Sequence, residues 1–198
     1  MSLSQLGAPY RERIEAELFS SLEERGEKTV LRDACEYALQ GGGKRLRPLL
    51  TLFVAEAIGA NLNVMPAALS VEYFHTASLI ADDLPCMDND LVRRNRPSLH
   101  AAFGESTAIL ASYALIAAGY RGIYQNGKEM EKNPLFRERA PWASLYCLEA
   151  ASRCGGLEGA TQGQFLDLNP PSCTLAVAHQ IMYQKTVTLF EIALLFGW

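Results

Sequence analysis

The chain has 198 residues, of which 49% are hydrophobic, and it is long enough to bury a core of its own. Its formal net charge of −4 gives no general attraction to nucleic acid or to an anionic membrane, so we expect no nucleic-acid partner. The sequence has no run that reaches the roughly 18 apolar residues needed to cross a bilayer, and we expect no transmembrane segment.

Five cysteines are scattered along the chain without a CxxC pair. Their odd number and irregular spacing favour reduced thiols over a disulfide framework or a zinc site. We therefore expect a cytoplasmic protein.

The spacing of apolar residues predicts helices almost throughout, and strand signals are weak. The first predicted helix begins at Pro9 and has Ile14, Leu18 and Leu22 on one stripe, and the second covers 28–40 and stops at three glycines. A third begins at Pro48 and ends near Gly59, and a fourth runs from Pro66 into an acidic segment. The remaining predicted helices cover 105–121, 140–152, 153–168 and 174–197. The polar stretch 124–134 predicts an exposed loop. The pattern predicts an all-α fold, with 1–198 as a single domain of helices packed around one core.

The first candidate site is the segment LIADDLPCMDND at residues 79–90. On the preceding helix, His75 and Asp82 lie two turns apart on one face, with Ser78 between them. Pro85 allows a bend that would return Asp88 towards Asp82. Carboxylates offered singly, with room for water and phosphate, suit Mg²⁺ rather than zinc. The alternative is a solvated acidic helix end.

Two basic segments accompany the acids. GGGKRLRP at 41–48 places Lys44, Arg45 and Arg47 on a glycine-rich connection before a helix, which is typical of anion binding. RRNRP at 93–97 follows the acids directly. Each segment alone could be an ordinary charged turn, but together they predict a diphosphate substrate held through Mg²⁺.

The last signals lie in the C-terminal third. Gly159 and Gly163 form a small-residue patch that predicts close helix packing, and Gln164 and Asp167 stand one turn apart. Lys185 and Thr186 interrupt an apolar helix. The alternatives are a packing seam with a polar rim and a lysine that reaches solvent.

Taken in order, GGGKRLRP, DDLPCMD followed by RR, the GQxxDL segment and the KT pair resemble the trans-isoprenyl diphosphate synthases, specifically the bacterial and plastid farnesyl or geranylgeranyl type. The resemblance implies a Mg²⁺-dependent prenyltransferase that condenses isopentenyl diphosphate with an allylic diphosphate. By position, it implies that Asp82 and Asp88 hold the metal, with Asp83 beside them. It implies that isopentenyl diphosphate is bound by Lys44, Arg47, His75 and Arg94, and that the allylic diphosphate is contacted by Arg93, Lys185 and Thr186. It further implies that Gln164 assists near the cation and that Asp167 orients Gln164 or a neighbouring lysine.

The resemblance also bears on product length, because in this family the growing tail runs beside the helix that carries the acids. The small residues Ala77 and Ser78 argue against a farnesyl-length stop at their level. Phe74, one turn deeper, could form the floor of the pocket. We therefore expect a product of geranylgeranyl length or longer; the alternative is that Phe74 is only core.

Two departures from the family pattern stand out. Ala81 precedes the acidic pair where relatives commonly carry His. No second aspartate-rich motif follows Asp167, although relatives carry one that holds further Mg²⁺. We therefore expect a C-terminally incomplete synthase fold, and the sequence leaves both activity and inactivity of the isolated chain open. We favour a deliberate truncation or a fragment over a naturally short relative, because the final LLFGW would expose core surface.

Two other functions stay open. A non-catalytic partner subunit of an active synthase would explain the missing motif but not the intact acids and arginines. A class I terpene cyclase also uses an aspartate-rich site but has no need of a second diphosphate site. The resemblance implies a homodimer, with the alanine-rich helix 105–121 as part of the interface.

Overall fold

The computed structural model describes residues 7–23, 27–59 and 61–198, apart from the side chain of Glu23. The elements in chain order are α1 (Ala8–Glu23), α2 (Val30–Gln40), α3 (Leu46–Ala57), α4 (Met65–Asp82), β1 (Val92–Arg93), β2 (Arg96–Pro97), α5 (Leu99–Phe103), α6 (Glu105–Lys132), a 3₁₀ turn (Arg137–Arg139), α7 (Ala140–Gly155), α8 (Ala160–Leu168), α9 (Leu175–Met182), a π turn (Tyr183–Val187) and α10 (Thr188–Gly197). The all-α prediction is confirmed. Across these ranges, no helix is both long enough and apolar enough to span a membrane.

Helix α4 is the centre of the fold. It is apolar on most of its circumference, and side chains on several of its faces are buried, as expected for a helix surrounded by others. Its most extensive partner is α6. The two backbones come close because Gly119 of α6 faces the ring of Phe74, where a Cβ would lie 2.5 Å from Cε1.

The core continues outward from this pair. Ile14 and Leu18 of α1 are fully buried, and Leu22 nearly so, which confirms the predicted stripe. Ile192 and Phe196 of α10 bury against α4, α6 and α7 in a second apolar cluster. The described core thus packs on both sides of α4.

The loop predicted for 124–134 is wrong, because α6 continues to Lys132. Lys128 pairs with Glu131, and Lys132 pairs with Glu129, each along the helix surface. Asn126 and Gly127 are buried, and Gly127 lies against the side chain of Ser144 in α7. The polar residues of this stretch are therefore the charged face of a helix whose other face is packed.

Three boundaries also differ from the prediction. Helix α3 begins at Leu46, so that Pro48 lies inside its first turn, where proline is tolerated. Helix α7 extends to Gly155, and α8 begins only at Ala160. The predicted helix 174–197 contains a π turn at Tyr183–Val187, a feature that is frequent at functional sites.

A short hairpin follows the acidic segment and was not predicted. Val92 pairs with Pro97, and Arg93 pairs with Arg96. The two turn residues, Arg94 and Asn95, have φ values of 54° and 63°, as a type I′ turn requires. The turn directs Arg93 and Arg94 to different surroundings.

Candidate active site

The acidic segment bends as its proline predicts. Asp82 is the last residue of α4, and the backbone N–H of Asp88 donates to the carbonyl of Asp82 at 3.0 Å. The bend returns Asp88 to the end of the helix. Desolvation raises the pKa of Asp88, and the negative charge of Asp82 raises it further.

Lys185 joins three separate elements at this point. Its Nζ lies 3.1 Å from Oδ1 of Asp82 on α4 and 2.7 Å from Oδ2 of Asp167 on α8. Burial acts against its charge, but the hydrogen bonds to Asp167 and Asp82 prevail, and the pKa of Lys185 is raised. The lysine therefore belongs to an acidic cleft and is not a solvent-reaching surface residue. Asp167 contacts a neighbouring lysine as the resemblance implied.

These acids offer a suitable donor set for Mg²⁺. Asp82, Asp88 and Asp167 are carboxylates close enough to repel, since the charges of Asp82 and Asp167 both raise the pKa of Asp88. Within the described ranges, no three His, Cys, Asp or Glu side chains converge as a ready metal cage. Mg²⁺ commonly takes one or two carboxylates and completes its shell with water and substrate phosphate, so the residues fit this ion.

Asp83 faces a different way from Asp82. It is 3% exposed, and its carboxylate accepts hydrogen bonds from Nε and Nη2 of Arg93. This ion pair is the main cause of the raised pKa of Arg93. Asp83 and Arg93, which the resemblance assigned to separate roles, therefore pair with each other, and Arg93 is not among the residues that line the cavity beside Asp82.

A cavity of about 720 Å³ opens beside Asp82 and Lys185 and continues between the helices. Its lining includes most of the residues predicted for the allylic site and the product pocket: Phe74, Ala77, Ser78, Asp82, Gln164, Lys185 and Thr186. Nε2 of Gln164 is buried and has no hydrogen-bond partner among the described residues. A buried donor without a protein partner is free to bind water or a polar ligand.

The opposite wall of this cavity was missed by the sequence reasoning. Ser112, Ile116 and Tyr120 of α6 line it, and the Tyr120 ring meets the Phe74 ring edge-on at 5.3 Å. Their spacing of four residues marks one face of a helix, which was the signal available in the sequence. The lining of the cavity thus includes an aromatic pair.

A second cavity, of about 470 Å³, holds the other predicted group. Lys44, Arg47, His75 and Arg94 all line it. Arg47 and His75 also line the large cavity, so the two cavities share one wall. The arrangement brings a basic cavity against a mainly apolar one that is lined by Asp82 and Lys185.

His75 is a neutral hydrogen-bonding group in this wall. Burial lowers its pKa to about 3, and the positive charge of Arg47 adds to the effect. Nη1 of Arg47 lies 3.2 Å from Nε2 of His75, and because arginine can only donate, Nε2 accepts. Nδ1 must then carry the proton, and it is buried without a partner among the described residues. It is available to donate to a ligand oxygen.

Because the pKa of His75 is lowered on folding, the free energy of unfolding depends on pH in the acidic range. The unfolded chain binds a proton at His75 below about pH 6.5, whereas the folded chain does so only near pH 3. Stability from this group is therefore complete above pH 6.5 and is lost as the pH falls towards 3.

We expect His75→Gln, which keeps an acceptor for Arg47, to lose less stability over this range in urea unfolding. His179→Gln, at an exposed position, is the matched control and should behave as the parent; an identical acid profile for His75→Gln would contradict the assignment.

Gly163 positions the backbone around Lys185. A Cβ on Gly163 would overlap the backbone nitrogen of Lys185, so α8 packs directly on the π turn. The predicted small-residue contact is present at this glycine. Gly159 instead packs against the carbonyl of Cys154 at the end of α7.

We expect Gly163→Ala to lower the free energy of unfolding by about 1–3 kcal/mol, the usual cost of overpacking, because two backbones must separate. Urea unfolding measures this. Gly155→Ala is the matched control, because no described atom outside its own turn lies within 4 Å of the added Cβ. Equal stability of the two variants would show that the π turn yields without cost.

One predicted anion-binding residue does not reach either site as a free cation. Arg45 is 2% exposed and is paired with Glu15 and Glu72 in the interior. Arg45 lines the basic cavity with Lys44 and Arg47, as the motif predicts, but its guanidinium is held in these interior ion pairs. The basic residues of the motif thus share one cavity, and Arg45 is the one that is paired with two carboxylates.

The family profile and the similar proteins point to the same protein family. The profile of the polyprenyl synthetase family matches residues 28–198. The chain is 37% identical over 178 residues to the heterodimeric geranylgeranyl pyrophosphate synthase large subunit 2 of Arabidopsis thaliana, covering 87% of this chain and 44% of that protein. It is 35% identical over 179 residues to the farnesyl diphosphate synthase of Geobacillus stearothermophilus, covering 90% and 58%.

Solved structures share the fold. A geranyltransferase from Legionella pneumophila superposes with a TM-score of 0.87 at 32% identity, over 98% of this chain and 67% of that one. An FPP/GFPP synthase from Zymomonas mobilis gives 0.82 at 29% identity, over 98% and 72%. The chain spans about half the length of the curated relatives it matches.

Proposed function

Because this chain belongs to the polyprenyl synthetase family, we propose that it carries the substrate sites of a prenyltransferase that condenses isopentenyl diphosphate with an allylic diphosphate. The product is a prenyl diphosphate of geranylgeranyl length or longer. The observation that carries the proposal is the pair of adjoining cavities that share Arg47 and His75 as a wall: one is basic, and the other is mainly apolar and is lined by Asp82 and Lys185.

The basic cavity suits isopentenyl diphosphate. Lys44, Arg47 and Arg94 supply cationic donors to a diphosphate, and arginine matches phosphate oxygens with two parallel N–H groups. The free Nδ1–H of His75 adds a neutral donor. The cation of Arg47 is held in place over the ring of Phe190, 4.3 Å from its centroid.

The acidic cleft suits the allylic diphosphate. Asp82 and Asp88 would hold Mg²⁺, which when bound neutralises the leaving diphosphate. Lys185 donates from the same cleft and stabilises the negative charge that develops on the leaving oxygen. Gln164 offers its unpaired amide N–H groups beside the large cavity, whose walls would exclude water from the allylic cation.

The reaction then follows from the positions of the two substrates. The allylic C–O bond breaks, and its electrons leave with the diphosphate. Where the two cavities adjoin, the double bond of isopentenyl diphosphate attacks the cation to form the new carbon–carbon bond, and a proton passes from the resulting cation to the released diphosphate. The hydrocarbon tail extends into the large cavity towards Phe74 and Tyr120.

The direct test is incubation of the chain with Mg²⁺, isopentenyl diphosphate and farnesyl diphosphate, with products sized by mass spectrometry. Calorimetry with each diphosphate separately measures the two sites without turnover. We expect saturable binding of both and a C20 or longer diphosphate as product. Turnover of farnesyl diphosphate without isopentenyl diphosphate would favour a cyclase and would contradict the proposal.

A second candidate is a partner subunit of a synthase. One relative is named as a subunit of a heterodimeric enzyme, which supports this alternative. A subunit without catalytic work would have no need of two diphosphate sites, so failure to bind either substrate would bring this candidate forward.

We also propose a homodimer through the outer faces of α6 and α7. Several large apolar side chains on these helices are exposed: Leu110, Tyr113, Tyr124, Trp142 and Leu145. A contiguous apolar face of this kind is typical of an interface. Sedimentation equilibrium tests it, and a monomer at micromolar concentration would contradict it. The cytoplasmic location stays a prediction.

A further inference from the structure

The connection between α2 and α3, residues 41–45, has an unusual backbone; we call it the glycine loop. Gly42, Gly43 and Arg45 have φ values of 71°, 130° and 47°. Glycine adopts such values freely, but for arginine the left-handed region is costly. Arg45 holds this conformation because its side chain is fixed elsewhere.

Four hydrogen bonds fix that side chain. Nε and Nη2 of Arg45 donate to the two carboxylate oxygens of Glu15 on α1, at 2.7 and 3.0 Å. Nη1 donates to Glu72 on α4 at 2.5 Å, and Nη2 also donates to the carbonyl of Leu39 on α2 at 2.5 Å. One guanidinium therefore ties the glycine loop to three helices.

The charge of Arg45 is neutralised inside the protein. Its side chain is 0% exposed and that of Glu72 is 3% exposed. Burial acts against the guanidinium, but the bonds to Glu15 and Glu72 prevail and the pKa of Arg45 is raised. These bonds use four of the five N–H donors of the guanidinium, and the two carboxylates neutralise its charge, although Arg45 is among the residues that line the basic cavity.

The outer side of the loop is held by a second arginine. Arg94 donates to the carbonyl of Gly42, and a Cβ on Gly43 would lie 2.7 Å from its Nη1. The glycine loop is therefore held in place by the buried side chain of Arg45 on one side and by the side chain of Arg94 on the other. Lys44 remains exposed at the mouth of the basic cavity.

We propose that Arg45 is a positioning residue for the isopentenyl diphosphate site, which shapes the glycine loop so that Lys44 and Arg47 face the cavity, and which does not itself contact the diphosphate. The inference rests on the proposed function. It predicts that loss of the fork geometry, with the charge kept, damages one substrate site and spares the other.

Arg45→Lys tests it, because lysine keeps the charge but cannot reach three helices at once. We expect calorimetry to show isopentenyl diphosphate binding weakened by about tenfold or more, as a misplaced ligand group commonly causes. Binding of farnesyl diphosphate should be unchanged. The salt dependence of the remaining isopentenyl diphosphate binding should match that of the parent, because no ligand-contacting charge has been removed.

Two further variants complete the test. Glu15→Gln removes one charge from the partly exposed end of the network, and it provides the same comparison if Arg45→Lys does not fold. Arg153→Lys, in a surface ion pair with Glu191, is the matched control and should leave both affinities unchanged. Thermal unfolding of each variant establishes the folded fraction.

Three results would overturn the positioning role: unchanged affinity for isopentenyl diphosphate, an equal loss for both diphosphates, or a shallower salt dependence that marks Arg45 as a direct ligand. If the parent chain binds no isopentenyl diphosphate, the proposed function fails, and this inference fails with it. If the parent binds it and the Arg45→Lys and Glu15→Gln variants bind equally well, only the inference fails.

Discussion

Asp82→Ala is expected to lower Mg²⁺-dependent condensation by about 10²–10³-fold or more, since it removes a group that stabilises charge at the reacting centre. Asp82 lies at the mouth of the large cavity, 3.1 Å from Nζ of Lys185. Without it, Asp88 and Asp167 remain, but the cleft loses the carboxylate nearest the helix end. Product formation with isopentenyl diphosphate and farnesyl diphosphate, followed by mass spectrometry, measures the effect.

A binding measurement separates this effect from a general loss of structure. Mg²⁺ should strengthen the binding of farnesyl diphosphate to the parent chain. It should have little effect on the binding of farnesyl diphosphate to Asp82→Ala. Asp90→Ala is the matched control, because Asp90 belongs to the same acidic segment, is 53% exposed and contacts only Arg93 at 3.4 Å among the ion pairs described. Turnover of Asp82→Ala equal to that of Asp90→Ala would refute the metal assignment.

Phe74→Ala is expected to lengthen the product by at least one isoprene unit. The ring of Phe74 lines the large cavity, against Gly119 and edge-on to Tyr120, and we expect it to form the floor. Ala77 and Ser78, nearer the acids, leave room above it. Removing the ring joins the space it occupied to the cavity, so that a longer tail fits before release.

The same change will cost stability, and its control must lose a similar ring. Phenylalanine to alanine in a core costs roughly 3–5 kcal/mol, and less where the ring is only half-buried, as Phe74 is. Phe53→Ala is suitable, because Phe53 makes a comparable edge-on contact with Tyr10 but does not line the cavity. Tyr120→Ala should lengthen the product as well. An unchanged product distribution in both cavity variants would place the floor elsewhere.

Much of the site could be predicted because its charged residues cluster in short segments of the sequence. The acids of residues 79–90, the basic residues after the glycines and the KT pair each fall within a few positions. The bend at Pro85 is also local, because proline removes a helix hydrogen bond and the chain must turn. The apolar stripe of α1 followed from a period of 3.6 residues and is buried as expected.

Other features depended on partners far along the chain. Arg45 was grouped with Lys44 and Arg47, since nothing nearby in sequence marks it as a core residue. Its partners Glu15 and Glu72 are 30 and 27 residues away. Likewise, the polar stretch after Tyr124 reads as a loop until Gly127 is seen to pack on α7.

The sequence by itself determined the helical class, the order of the acidic and basic segments and the residue types at each site, because these depend on periodicity, glycine, proline and the chemistry of single side chains. Only the tertiary structure decided that Arg45 pairs with two carboxylates in the interior, that Arg93 pairs with Asp83, and that Lys185 meets Asp82 across 103 residues. The physical reason is that burial and ion pairing are set by packing between distant segments, and a local pattern carries no record of which distant side chain will be its neighbour.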